Sequence, residues 1–219
     1  MLTYEQVTKS EAIRTYIIRA DESLIALGFT EHSFAHVVHV AQTAGYILET
    51  MGFDDRTVEL AKIAGYLHDI GNLVNRKDHS QSGAVMAWSI LNDMGCEPAE
   101  IATIVTAIGN HDEGTGVPVN AVAAALILAD KADVRRSRVR NTDISKFDIH
   151  DRVNYSVQKS ELRINEEKTS VSLKLSVDTK YGSVMDYFEI FMGRMLLCRK
   201  AAEKLNLQFK LTINDQQLI

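Results

Sequence analysis

The stretch Ala61-Lys-Ile-Ala-Gly-Tyr-Leu-His-Asp-Ile-Gly71 decides how the rest of the chain is interpreted. Its apolar residues recur at helical spacing up to Gly71, a residue type that commonly ends helices. Two side chains that can bind metal, His68 and Asp69, are adjacent at the end of this apolar segment. Because burying an imidazole and a carboxylate without partners costs free energy, the pattern indicates a cation that pairs with both. Asp69 has two carboxylate oxygens and can bridge two ions.

Length and composition suit a compact protein. The 219 residues, 46% of them hydrophobic, are enough for one domain or for one domain with a small appendage. The net charge of -5 gives no overall basic surface, so we expect no nucleic-acid partner.

Cys96 and Cys198 are too few for a disulfide framework. Without a signal-peptide pattern or an apolar run of membrane-spanning length, the sequence predicts a cytoplasmic protein with no membrane partner.

Apolar residues at helical spacing predict that the first part of the chain is helical. Glycines close several of the segments, and Pro98 has the position of a first-turn proline. Asp54 and Asp55 can cap the helix that carries His68. The predicted helices cover about residues 4–27, 31–50, 55–69, 79–94, 98–109 and 119–130.

The pattern changes near residue 160. Residues 171–177 and 208–213 alternate between apolar and polar with period two, as half-buried strands do, and residues 162–165 fit a hairpin partner. Ser183 can cap a long helix over 184–205. This end of the chain therefore predicts a small α+β unit of antiparallel strands and one long helix, and the apolar width of that helix favours a homodimer.

Six side chains of metal-binding type lie at helix ends or on apolar helices. They comprise four imidazoles and two carboxylates, a mixture that suits Fe, Mn, Co, Ni or Zn better than Ca or Mg. Such a set suffices for one or two divalent ions, which would activate a hydroxide for attack on phosphorus and neutralise the phosphoryl oxygens. The candidate ligands are His36, His68, Asp69, His79, His111 and Asp130.

Five ordered segments between about residues 30 and 138 resemble the HD-domain metal-dependent phosphohydrolase superfamily. The segments are His36-Val-Val-His-Val-Ala41, Leu67-His-Asp-Ile-Gly71, His79-Ser-Gln-Ser-Gly-Ala84, Ile108-Gly-Asn-His-Asp112 and Leu128-Ala-Asp130. The resemblance implies an all-α catalytic core and substrates that are phosphomonoesters or phosphodiesters, often nucleotides. It also implies a first metal held by His36, His68, Asp69 and Asp130, and a second that shares Asp69 and takes His79 and His111.

The chain departs from this family's pattern at two places. Asn72 stands where many binuclear relatives have a lysine that binds phosphate. Asn110 and Gly116-Val-Pro118 differ from the HD-GYP subgroup, so the resemblance is to the broader, HDIG-type family. We therefore predict a mainly α protein with an HD-domain helical core over residues 1–158 and a small α+β extension over 159–219, packed on the core.

Charged residues beside the candidate ligands are the candidates for chemistry on the substrate. Asp69 would hold the nucleophile, and water or Asp112 would protonate the leaving group. Lys131 and Arg135 follow Asp130, and we predict that they bind and orient the substrate phosphate. The alternative for both is a solvated basic helix end that the helix dipole favours.

Four further residues near the candidate ligands have simpler interpretations. We predict that His32 is an exposed residue at a helix start, with a position facing the pocket as the alternative, and that His150 lies on the surface. His39 is expected to support a ligand by a hydrogen bond rather than to bind metal itself. Asp133 is either such a supporting residue or a solvated carboxylate.

The sequence leaves three functions open. The first is hydrolysis of a small-molecule phosphoester, particularly a nucleotide. The second is a diiron oxygenase, because some HD-domain diiron proteins resemble this ligand set, and the third is a metal-stabilised module that senses a nucleotide without cleaving it. Oxygen consumption would identify the second, and nucleotide binding without product would identify the third.

Overall fold

The computed structural model describes all 219 residues and contains nine α-helices and one four-stranded sheet, which confirms the mainly α fold. No helix combines the length and the apolar character that a membrane span requires. The helices are α1 Tyr4–Lys9, α2 Glu11–Ala26, α3 Phe34–Met51, α4 Asp55–Leu67, α5 His79–Asp93, α6 Pro98–Gly109, α7 Ala121–Ala132, α8 Ile149–Ser156 and α9 Val184–Lys204. The strands are β1 Val157–Ile164, β2 Ser170–Val177, β3 Gln208–Ile213 and β4 Gln216–Gln217.

Local capping interactions explain where the helices of the core begin and end. The Asp54 carboxylate accepts a hydrogen bond from the Thr57 amide at 3.0 Å and opens α4, as the sequence predicts. Asn120 caps α7 in the same way. Gly52 ends α3 with a left-handed backbone (φ 84°), a conformation that costs glycine little. Each of these caps lies at one end of a helix that carries a candidate ligand or, in the case of α4, leads directly into His68.

Three predicted boundaries differ from the structure. The helix expected over 4–27 is two helices, because the extended backbone of Ser10 ends α1 and its side chain caps α2. Helix α3 begins only after its cap, Ser33, so His32 precedes the helix. Helix α8, which Asp148 caps, was not foreseen because its eight residues carry only a short apolar pattern. Short 3-10 helices over Ile70–Leu73, Arg136–Arg138 and Ile144–Lys146 complete the connections.

Helix α7 is the central element of the core. Ten of its twelve residues are buried, and it contacts α3, α4, α6 and α9. A helix that is apolar on all sides is stable only when other elements surround it. Asp130 and Lys131 therefore lie deep in the molecule, at the C-terminal end of α7, where burial strongly favours pairing of their charges.

The sheet follows the order β1-β2-β3-β4. Strands β1 and β2 form the expected antiparallel hairpin, and β3 and β4 are also antiparallel. Strands β2 and β3 are parallel, so the expectation of antiparallel strands throughout is wrong. The reason is that α9 crosses back along the sheet before β3 begins, which gives β3 the direction of β2. The division of the chain at residue 158 stays a prediction, and one continuous apolar core includes residues from both sides of it.

Helices α3 and α4 approach most closely at Gly65. A Cβ atom at position 65 would lie 2.7 Å from the Cα of Ala41, a backbone atom that cannot move without shifting α3. We expect Gly65→Ala to lower the free energy of unfolding by about 1–3 kcal/mol. Gly109→Ala is the matched control, since its Cβ would meet Ala84 at an ordinary 3.6 Å. Urea denaturation measures both, and equal stability of the two variants would contradict the close packing.

Candidate metal centre

The structure brings all six predicted ligands together. They come from five separate helices or helix ends, and five of the six residues are buried, whereas the Asp130 side chain is 12% exposed. Two sets of three ligand atoms, each within 4.8 Å of one another, could hold a metal ion. The sets are His36, His68 and Asp130, and His68, Asp69 and His111.

The first group surrounds the inward-facing nitrogen of His36. Its Nε2 lies 3.3 Å from Nε2 of His68, 3.4 Å from Oδ1 of Asp130 and 3.5 Å from Oδ2 of Asp69. The His68 nitrogen is in turn 3.3 Å from the same Asp69 oxygen. Two imidazoles and two carboxylate oxygens thus face a common point, and this number of nitrogen and oxygen ligands is typical of a transition-metal site.

The second group faces the other oxygen of Asp69. Nε2 of His79 lies 3.2 Å from Nε2 of His111 and 3.5 Å from Oδ1 of Asp69. Because Asp69 presents one oxygen to each group, it has the geometry of a ligand shared between two ions. The assignment of these residues to two ions stays a prediction.

The outward-facing nitrogens of the four histidines determine where each ring carries its proton. Every Nδ1 atom lies within 3.1 Å of an oxygen that accepts a hydrogen bond, so the Nε2 lone pair points into the centre. The accepting oxygens belong to Asp133 for His36, Gly65 for His68, Arg76 for His79 and Ile108 for His111. Facing lone pairs at 3.2–3.3 Å repel each other unless a positive charge lies between them, so the donor set fits divalent cations.

The electrostatics of the centre favour positive charge. Burial alone would lower the pKa of His68, but Asp69 and Asp130 outweigh it and raise the pKa to about 10. Burial alone would raise the pKa of Asp69, but His68 and His32 hold it well below its usual value. The two carboxylates therefore remain ionised, and the potential that stabilises a proton on His68 stabilises a metal ion in the same place.

Asp133 supports the first group from behind. It is buried, and its Oδ2 lies 2.7 Å from Nδ1 of His36. Arg135 donates to its other oxygen at 2.8 Å, so the carboxylate is paired on both sides. Of the two alternatives for Asp133, the structure therefore favours the residue that supports a ligand over the solvated carboxylate. A signal was present, since Asp133 lies one helical turn beyond the ligand Asp130 at the end of an apolar helix.

Replacing Asp133 with asparagine should weaken metal binding. The amide cannot accept the proton of His36 with the strength of a carboxylate, so we expect metal affinity to fall by about 10–100-fold. Competition with a chromophoric chelator measures the affinity. Asp55→Asn, at an exposed position on α4, is the control. An affinity equal to that of the control would show that Asp133 does not orient His36.

The centre lies in a polar cavity of about 200 Å³. Four cationic side chains line it, together with the loop over residues 27–30, three residues of α8 and two of α9. Asp148 and Asp151 also line it, so the cations outnumber the carboxylates that are not candidate ligands. With metal on Asp69 and Asp130, this lining would suit an anionic ligand. The lining cations are Arg76, Lys131, Arg138 and Arg194.

The predicted phosphate-binding residues have different positions. Lys131 lines the cavity, but its Nζ lies 2.7 Å from both Asp130 and Glu113, so two carboxylates balance its charge. Its contribution to substrate binding stays a prediction. Arg135 does not line the cavity, because its guanidinium turns towards Asp133 and Glu31. The structure therefore does not bring Arg135 to the site.

Asp112, the predicted proton donor, also lies outside the lining of the cavity. One of its oxygens accepts a hydrogen bond from the Gly114 amide at 3.3 Å, within its own loop. The adjacent Glu113 is the carboxylate that contacts the cations of the cavity, through Lys131 and Arg194. The spacing of this loop could not show which of two consecutive acidic residues turns inward.

The three further histidines also have definite places. His32 is half-buried and lines the cavity, with Nδ1 2.7 Å from the Thr30 carbonyl, so the expectation of an exposed residue is wrong. His150 is exposed, but it lies at the rim of the same cavity on the unforeseen helix α8. His39 is exposed, and its Nε2 is 4.0 Å from Asp133, beyond hydrogen-bond distance.

Asn72 and Arg76 form an arrangement that the sequence did not reveal. The Asn72 amide donates to Oδ1 of Asp69 at 3.0 Å, and its own oxygen accepts a hydrogen bond from Arg76 at 3.2 Å. The Arg76 guanidinium is consequently held 3.9 Å from Asp69. A cation therefore stands beside the shared carboxylate even though position 72 is not a lysine.

Residues 33–153, more than half of the chain, match the HD domain family. The chain therefore belongs to the HD-domain metal-dependent phosphohydrolase superfamily, the family that its metal-binding segments resemble. An uncharacterized protein of Methanocaldococcus jannaschii is 25% identical over 191 residues, which cover 76% of this chain and 73% of that protein. Ribonuclease Y of Acetivibrio thermocellus is 29% identical over 119 residues, 54% of this chain but only 21% of that enzyme.

One solved structure is similar in part. It is a predicted HD superfamily hydrolase from an uncultured Thermotogales bacterium, with a TM-score of 0.46 and 25% sequence identity. The similarity covers 57% of this chain and 67% of that one.

Proposed function

We propose that this protein hydrolyses a phosphoester of a small molecule, with two divalent transition-metal ions held by the six ligands. The observation that carries the proposal is the position of Asp69: its Oδ2 faces Nε2 of His36 and His68, and its Oδ1 faces Nε2 of His79, at 3.3–3.5 Å. His36, His68 and Asp130 would complete one ion's ligands, and His79 and His111 the other's. When bound, such ions polarise phosphoryl oxygens and lower the pKa of a water molecule that can attack phosphorus.

The chain's own residues orient the parts of this site. The hydrogen-bond acceptors at the four Nδ1 atoms keep the Nε2 atoms free for metal, and Lys131 holds Asp130 from the side away from His36. Arg76, fixed by Asn72 beside Asp69, is placed to bind a phosphoryl oxygen of the substrate. The ring of Phe29, whose centroid is 5.7 Å from the guanidinium carbon, supports Arg76 on its other side.

A small substrate is favoured over a polynucleotide. Four of the six ligands line a cavity that α8, α9 and the loop over residues 27–30 also line, and these walls limit the size of the group that reaches them. The net charge of -5 also disfavours the extended phosphate backbone of RNA. Nucleotides suit the cavity, because an anionic phosphate can contact its arginines. Ribonuclease Y, a relative of one region, makes short RNA a necessary comparison.

The test is a screen of the purified protein after removal of its metals and reconstitution with Mn, Fe, Co, Ni or Zn. Phosphomonoesters, phosphodiesters, nucleotides and short RNA would be supplied, with phosphate release and metal content measured in parallel. We expect two metal ions per chain and hydrolysis of a small phosphoester. A protein that binds no metal and turns over no phosphoester under any of these conditions would refute the proposal. Oxygen consumption, or nucleotide binding without product, would support the alternatives instead.

A further inference from the structure

A cationic side chain reaches the cavity from outside the HD domain match. Arg194 lies on α9, beyond the last matched residue, 153, and it lines the same cavity as Asp69 and His79. Helix α9 packs along α7, the helix that carries Asp130. The C-terminal part of the chain thus contributes directly to the wall of the site.

The position of Arg194 is fixed by two contacts. Its Nε donates to Oε1 of Glu113 at 2.9 Å, and its guanidinium carbon lies 4.3 Å from the centroid of the Phe191 ring. Glu113 pairs with Lys131, which pairs with the metal ligand Asp130. A row of alternating charges therefore connects Arg194 to the metal centre. The ring stacking and the Nε hydrogen bond hold the guanidinium in one orientation, so its two Nη atoms are preorganised to donate to a ligand.

Two of the other cations of the cavity, Lys131 and Arg138, are more fully engaged, whereas Arg76 makes one hydrogen bond, to Asn72. Lys131 has a carboxylate on each side, and Arg138 donates to the backbone carbonyls of Glu31 and Asp133. Arg194, by contrast, uses only Nε, and both of its Nη atoms lack a hydrogen-bond partner within the protein. Two parallel N–H donors at the end of a fixed fork match two oxygens of a phosphate group.

We propose that Arg194 binds the phosphate of the substrate through its two Nη atoms, so that α9 completes a site whose metal ligands all lie in the HD domain. This inference rests on the proposed function, because it assumes that the cavity receives a phosphoester. Arg76 and Arg194 would then contact the phosphate from two different elements, the segment after α4 and the C-terminal helix. Loss of the Arg194 side chain would weaken substrate binding even though every candidate metal ligand remained.

The test is calorimetric titration of inorganic phosphate into the metal-loaded full chain. Wild type, Arg194→Gln, Arg194→Lys and a control, Arg199→Gln, would be compared, since Arg199 is exposed on the same helix. We expect Arg194→Gln to raise the Kd for phosphate by at least about tenfold, because a hydrogen bond between charged groups is lost. Arg194→Lys should bind with intermediate affinity, and Arg199→Gln should bind as the wild type does. The number of metal ions per chain should be the same in all four proteins.

The outcomes separate this inference from the proposed function. If the wild type hydrolyses a phosphoester and Arg194→Gln binds phosphate as tightly as the wild type does, only the role of Arg194 is refuted. A fall in metal content in Arg194→Gln would also refute it, because the residue would then act on the metal centre. If Arg194→Gln does not fold, Arg194→Lys decides, and an unchanged Kd in that variant overturns the inference. Absence of both phosphate binding and hydrolysis in the wild type refutes both proposals.

Discussion

Asp69→Ala is expected to remove the metal centre and, with it, hydrolysis. Asp69 faces both groups of histidines, so its loss would take an anionic oxygen from each of the two proposed ions. Loss of outer residues that orient ligands costs about 10–100-fold, so we expect the loss of this shared ligand to reduce kcat by more than about 100-fold. The metal content should fall from two ions per chain to fewer than one, as measured by mass spectrometry of the dialysed protein.

The fold should survive this change. Asp69 contacts polar side chains of the centre, among them His68 and Asn72, and the surrounding apolar core is untouched by its loss. Circular dichroism would check the helical content. Asp93→Ala, at an exposed position on α5, is the matched control and should keep both its metal and its activity. Full activity of Asp69→Ala would show that the reaction does not use the metal centre, whatever else the cavity does.

Lys131→Met should have the largest effect on stability among the charged residues of the cavity. The lysine is buried, and its Nζ lies 2.7 Å from the carboxylates of Asp130 and Glu113. Methionine fills nearly the same space but leaves two partly buried carboxylates without their shared cation. We expect the free energy of unfolding to fall by about 3 kcal/mol, the lower end of the range for breaking a buried pair, because Glu113 keeps Arg194.

The same substitution at an exposed ion pair is the control for this prediction. Lys9 pairs with Glu5 one helical turn away, and both side chains are more than 70% exposed. Lys9→Met should change the free energy of unfolding by at most about 0.5 kcal/mol. Guanidinium denaturation of both variants measures the difference. If both variants lost the same free energy of unfolding, the pairing of Lys131 with Asp130 and Glu113 would contribute no more to stability than an exposed ion pair does.

The ligands could be predicted from the sequence because each one is marked locally. His68 and Asp69 end an apolar helix, and Asp130 lies near the end of another. A polar residue within an apolar helical pattern can be recognised from the sequence alone. Burial follows from the helical pattern, and a buried imidazole or carboxylate requires a partner. Convergence of the six side chains on one point was then the simplest way to satisfy all of them.

The partners of those ligands could not be predicted, because they depend on packing between distant segments. Asp133 reaches His36 across 97 positions of the chain, and Arg194 reaches Glu113 across 81. Arg135, one of the basic residues nearest in sequence to Asp130, turns away because Asp133 and Glu31 bind it. Sequence proximity to a ligand is therefore a poor guide to which cation enters the cavity, whereas the packing of α9 on α7 determines it.

The parallel pairing of β2 with β3 was missed for a related reason. Both strands show the same alternation of apolar and polar residues, and alternation does not reveal the direction of a strand. The 21-residue helix α9 between them spans the distance that a parallel connection needs. This crossover is also what places Arg194 and Phe191 on the cavity, so the error in strand direction and the missed arginine have one cause.

Anomalous X-ray diffraction from crystals of the protein loaded with Mn or Fe would locate the metal ions relative to Asp69. We expect two strong peaks with Asp69 in contact with both. One should be enclosed by His36, His68 and Asp130, and the other by His79 and His111. A single peak, or peaks away from Asp69, would contradict the shared-carboxylate centre on which the proposed hydrolysis depends.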